Sequence, residues 1–166
     1  MLALGIDPGT ATTGYGLVRW LPSGEYELVA FGTVQTEAGL PMPERLSDLF
    51  HKLSQVIELH QPETSAVEQL FFQTNVKTAI SVGQARGVAI LALAEARVPV
   101  GEYTPLQIKQ AVTGYGKADK RQVQEMVRVL LKMDKIPKPD DAADALAVAI
   151  CHLQSGQLQR AIEASS

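Results

Sequence analysis

Five acidic residues sit where acids are costly. Asp7 ends the apolar run "LALGI", and Glu68 follows "SAV". Asp140, Asp141 and Asp144 open the stretch "DDAADALAVAI", whose remaining residues are small or apolar. Burying one unpaired carboxylate costs several kcal/mol or forces it to take up a proton, and several together repel one another. A divalent cation resolves that conflict. Mg²⁺ takes hard oxygen ligands and keeps waters for substrate oxygens. Two such ions about 4 Å apart activate water and stabilise a leaving oxygen in phosphodiester cleavage. Structural roles compete for each acid. Asp7 precedes Pro8-Gly9 and could start a turn. Glu68 could pair with an arginine such as Arg86. Asp140 follows Pro139 at a helix start and suits an N-cap. Asp141 and Asp144 share a helix face three residues apart, and Asp140 with Asp144, four apart, is an alternative pair that spacing does not exclude.

The elements that must position these acids follow from periodicity. Residues 2–6, 13–20 and 26–36 read as three strands of an antiparallel meander, with a turn at 21–25. Leu46, Leu49, Phe50, Leu53, Val56 and Ile57 mark one face of a helix over 43–60. A short strand from 64 ends at Glu68. An Ala- and Gly-rich helix over 75–97 and a strand over 98–103 come next. Thr104-Pro105-Leu106-Gln107 has cap, first-turn proline and N3 glutamine in order, and Asp119 with Gln122 forms a second cap. The loop "GYGK" (114–117) separates the two helices, and "KIPKP" (135–139) breaks the chain before a last helix over 140–154. The expected fold class is α/β, a mixed five-stranded sheet flanked by helices on both faces. Residues 1–154 form one domain, and 155–166 a polar, flexible tail.

Charge is unevenly spread along the 166 residues. The segment 109–139 holds eight Lys/Arg against three acids, a net +5, while the remainder holds seven against fifteen, a net −8. That split points to a polyanion-binding surface on an acidic body, against the simpler reading of a solvated helix face. One cysteine, Cys151, rules out an intrachain disulfide, and three scattered histidines make no zinc site. The longest small or apolar run, 87–94, is far too short to span a bilayer, and the chain starts in strand-like sequence; a cytoplasmic protein is expected. There is no P-loop, and "GTATTG" lacks the dinucleotide fingerprint. "IDPGTATTG" looks like a phosphate loop of actin-like ATPases, but those need two such domains.

"GIDPGTATTGYG", "AVEQLFFQTN", "GQARGVAILA", "QIKQAVTGYGKADKRQVQ" and "DDAADALAVAI" occur in the order of the motifs of the RuvC family. The chain resembles these bacterial Holliday-junction resolvases from about residue 3 to 153. The resemblance implies a ribonuclease-H-like nuclease acting as a homodimer on four-way DNA junctions in homologous recombination and DNA repair, alongside RuvA and RuvB. It implies paired symmetric nicks made with Mg²⁺ or Mn²⁺, two ions per site. It carries the catalytic, metal-holding acids onto Asp7, Glu68, Asp141 and Asp144, and leaves Asp140 to capping. It makes Phe71 a base-stacking ring, and Lys109 and Lys120 DNA contacts. Lys117 and Arg121 lie in the same basic segment and are further candidates. The alternative is a non-catalytic junction-binding subunit of a branch-migration complex.

Overall fold

The computed structural model describes residues 1–69 and 76–164. The strands are β1 (Leu2–Asp7), β2 (Thr12–Trp20), β3 (Tyr26–Gln35), β4 (Thr64–Glu68) and β5 (Val100–Tyr103). The helices are α1 (Met42–His60), α2 (Val76–Glu95), α3 (Pro105–Thr113), α4 (Lys120–Leu130) and α5 (Asp140–Ala164). One sheet runs β3-β2-β1-β4-β5, antiparallel through β1, β2 and β3 and parallel from β1 to β4 to β5. This is the mixed sheet expected from the sequence and the ribonuclease-H-like arrangement that the resemblance implies.

Strand alternation divides the core in two. Leu2, Leu4, Ile6, Leu17 and Val67 pack with Leu49, Leu53 and Ile57 of α1 and Ala85, Ala89 and Leu93 of α2. Ala3, Val18 and Ala66 face the other way, against α5, with α3 and α4 outside it. Helices thus cover both faces. Leu146, Ile150 and Leu153 of α5 are fully buried, each worth roughly 1.5–3 kcal/mol of apolar transfer.

Both caps form as the sequence dictates. Thr104 accepts from the Gln107 N–H and Asp119 from the Gln122 N–H, each with the reciprocal glutamine bond. Gly114 closes α3 in the left-handed region at φ 73°, which suits glycine. The last helix, α5, differs from the sequence reading in its extent and its cap. α5 continues to Ala164, because the glutamines, alanines and arginine beyond 154 are good helix formers. Asp140 is the first residue of α5 rather than its cap. The Pro139 carbonyl already accepts from the Ala142 and Ala143 N–H groups, and lysines take the Asp140 carboxylate. Among the described residues no helix is long and apolar enough to cross a membrane.

Candidate active site

β1 and β4 are parallel, with Gly5 beside Ala66 and Ile6 beside Val67. Asp7 and Glu68 therefore end adjacent strands at the same edge of the sheet. Alternation puts both on the α5 side, one step beyond Ile6 and Val67, which face α1 and α2. The helix can lie close because glycines leave parts of the sheet beneath it without side chains. A Cβ on Gly5 would overlap the Ala145 carbonyl, and one on Gly14 would overlap the Asp141 carbonyl. The first turns of α5 thus rest on β1 and β2, bringing Asp141 and Asp144 over Asp7.

The electrostatics follow. Asp7 is pushed up to about 8, first by burial, then by repulsion from Glu68, Asp144 and Asp141, with Lys120 pulling back. Burial and then Asp144 raise Glu68 to about 6, against Lys109 and Lys120. Burial also raises Asp144, with Lys120 opposing it. Asp140 behaves in the opposite way. The Lys138 ammonium at 2.8 Å, then the Gln124 amide and Lys120, hold it down at about 2. The structure thus separates the adjacent acids: Asp141 and Asp144 join the cluster of Asp7, while Asp140 is an exposed ion-pair partner.

Two expected cations reach the acids. Lys109 and Lys120 line a groove of about 190 Å³ with Glu68, Asp144, Pro105 and Ile108. The Lys120 ammonium lies 3.0 Å from Asp144 Oδ2 and 3.4 Å from Asp140 Oδ2. Burial works against its charge, but Asp144 and Asp140 outweigh that and raise its pKa. Lys117 is exposed on the loop between α3 and α4. Arg121 points to a separate groove with Tyr115, Gln122 and Met126. Phe71 lies outside the described residues.

Several functional contacts escape sequence reasoning. Arg86 does not pair with the Glu68 carboxylate. Its Nε donates to the Glu68 main-chain carbonyl at 3.3 Å, and its Nη2 pairs with Glu102 on β5. The Glu68 side chain is left for the site, and Glu102 gains the structural partner its position demands. The loop after Asp7 is pinned by hydroxyls. Thr13 donates to the Gly9 carbonyl at 2.7 Å, Thr36 donates to the Thr10 carbonyl at 2.6 Å, and Thr10 donates to the Ser81 carbonyl of α2 at 2.9 Å. Buried threonines in "GTATTG" were the available signal. His152, two turns past Asp144, bonds Thr64 Oγ1 at 2.6 Å and Tyr103 Oη at 2.9 Å, and burial lowers its pKa.

The donor set consists of carboxylate oxygens, the ligands a hard divalent cation takes, and their mutual repulsion is what such a cation would relieve. The residues fit that group in chemistry and charge. Among the described residues, however, no three His, Cys, Asp or Glu side chains already converge as a ready cage. The Lys120 ammonium balances Asp144 instead.

Comparison with known proteins places the sequence and the fold in one family. The family model described as crossover junction endodeoxyribonuclease RuvC matches residues 3–152. The crossover junction endodeoxyribonuclease RuvC of Chloroflexus aurantiacus is 61% identical over 152 residues, 92% of each chain. That of Desulforamulus reducens is 55% identical over 154 residues, 93% of this chain and 94% of its own. The structure of Thermus thermophilus RuvC in complex with a Holliday junction substrate superposes with a TM-score of 0.90 at 36% identity, covering 96% of both chains. Another structure of Thermus thermophilus RuvC gives 0.89 at 37%, covering 96% of this chain and 97% of its own. With the family model matching nearly the whole chain and these relatives sharing more than half of its residues, this chain belongs to the RuvC family of crossover junction endodeoxyribonucleases.

Proposed function

We propose that this chain is a structure-specific endonuclease that resolves four-way DNA junctions, by paired symmetric nicks through divalent-metal-dependent phosphodiester hydrolysis, in recombination and repair. One observation carries the reading. Glu68 and Asp144 line one groove, and both, with Asp141, repel the charge of Asp7 beside them, so the cluster favours a cation.

Asp7, Glu68, Asp141 and Asp144 would hold Mg²⁺ or Mn²⁺, two ions per site. Those ions, when bound, supply an activated water and charge stabilisation at the leaving oxygen. Asp7 must release its proton to serve as a ligand. Lys109 and Lys120 offer phosphate contacts beside the acids, giving salt-sensitive affinity independent of sequence. Lys117 and Arg121 extend this basic surface, and Phe71 supplies a stacking ring for an unpaired base, worth roughly 1–3 kcal/mol.

The same reading makes the protein a homodimer. Ile80 and Leu91 on the outer face of α2 are 58% and 51% exposed, and Gly87 between them is open. Such a stripe suits a second copy of the chain, and paired nicks require two sites. RuvA and RuvB as branch-migration partners, a cytoplasmic setting, and a nuclease body of 1–154 with the remainder as an appendage complete the proposal.

The test is incubation with a synthetic mobile four-way junction and Mn²⁺ or Mg²⁺. Paired nicks at symmetric positions are expected, and Asp7→Asn abolishes them. Binding without cleavage in either metal, or cleavage that survives Asp7→Asn, overturns the proposal.

A further inference from the structure

Helix α2 touches the site without lining it. Its inner face is apolar, with Ala85, Ala89, Ala92 and Leu93 buried against the sheet. Two of its polar ties go to the two chain segments that carry the acids. At one, the Thr10 hydroxyl, three residues past Asp7, donates to the Ser81 carbonyl at 2.9 Å. Thr10 is 8% exposed, and its own carbonyl is held at 2.6 Å by Thr36, which Arg45 of α1 holds in turn at 3.0 Å. At the other, Arg86 holds the Glu68 carbonyl at 3.3 Å.

The arginine fork binds three elements at once. It grows from α2, its Nε meets the β4 main chain, and its Nη2 meets Glu102 of β5. Register explains why the acids do not collide. Glu68 pairs with Tyr103, whose ring bonds His152 on the α5 side, so Glu102 one step earlier points to α2. Arg86 therefore grips the Glu68 peptide from beneath, while the Glu68 side chain projects to the opposite face.

We infer that Thr10 and Arg86 are positioning residues, which set the relative placement of Asp7 and Glu68 by fastening both strand ends to α2. The inference deepens the nuclease reading above and rests on it. Apolar packing already anchors α2, so these ties are not needed to hold the helix on the sheet. Their effect falls on the spacing of the acids. A displacement near 1 Å at a reacting centre costs on the order of 100-fold in rate.

The experiment compares Thr10→Val, which removes only the hydroxyl, with Thr10→Ser, which keeps it, and Arg86→Gln with Arg86→Lys. Two quantities are read for each: Mn²⁺ affinity of the DNA-free protein by calorimetry, and kcat and KM on the junction. Thr10→Val and Arg86→Gln are expected to weaken Mn²⁺ binding and lower kcat at least about tenfold, with KM within about twofold. Thr10→Ser restores both quantities. Loss in Thr10→Ser equal to that in Thr10→Val, or unchanged Mn²⁺ affinity and kcat in Thr10→Val and Arg86→Gln, overturns the inference. A wild-type protein that binds Mn²⁺ but cuts no junction overturns the nuclease reading instead, and the Mn²⁺ affinities of the variants still decide the positioning role.

Discussion

Gly14 is the cross-strand partner of Asp7, and the main chain of Asp141 rests directly on it. The distance from the strand-borne acid to the helix-borne acids is therefore set by backbone lying against backbone. Gly14→Ala puts a methyl group inside the space the Asp141 carbonyl occupies. Overpacking of this kind costs about 1–3 kcal/mol. Thermal denaturation should show that loss, and Mn²⁺ titration should show weaker binding as the start of α5 is lifted. A variant of unchanged stability and unchanged affinity would contradict the close contact.

Asp7 makes the metal-free protein pH-sensitive. Its folded value of about 8 lies above its ordinary 3.8, so between those values the folded state holds a proton that the unfolded chain has released. The stability it contributes is fully present below its ordinary value and is lost as pH rises through about 8. In chelator, the melting temperature of the wild type should fall from about pH 5 to about pH 8 more steeply than that of Asp7→Asn. Parallel curves would count against a buried, repelled Asp7.

The same protons oppose catalysis. Glu68 at about 6 and Asp7 at about 8 must both ionise to bind cations. Cleavage should rise with pH across that interval, and the midpoint should move to lower pH as Mg²⁺ is increased, because metal competes with protons. A midpoint independent of Mg²⁺ concentration would separate the titration from metal binding.

Lys120 competes for Asp144. Lys120→Ala should tighten Mn²⁺ binding to the DNA-free protein severalfold. It should also weaken junction binding and reduce the salt slope by about one counterion. Weaker Mn²⁺ binding with an unchanged salt slope would mean that the ammonium only supports the fold.

Much of this site is legible in the sequence because its determinants are local. The period of two places Asp7 and Glu68 at strand ends, and the capping residues Thr104 and Asp119 fix where α3 and α4 begin. The identity of the helix acids required the resemblance, since spacing alone leaves Asp140 with Asp144 as good as Asp141 with Asp144. The structure separates them because Lys138 takes the Asp140 carboxylate, while Asp141 and Asp144 both act on Asp7. What the sequence did not disclose is long-range and polar. The Lys120–Asp144 pair joins α4 to α5, the Arg86 bond to a main-chain carbonyl has no side-chain signature, and the Thr10–Ser81 bond spans 71 positions. No periodicity encodes such contacts.

The Lys120 ammonium, shared between Asp140 and Asp144, has a consequence for folding itself. In many small metalloproteins the ion is the final structural component, and a chelator unfolds the chain. Here two apolar cores cover both faces of the sheet, and a resident side-chain cation already offsets part of the acid cluster. The ion is a reagent admitted to a finished scaffold. Chelation should silence such a protein reversibly and leave it native, so that activity returns with the metal and without a refolding lag.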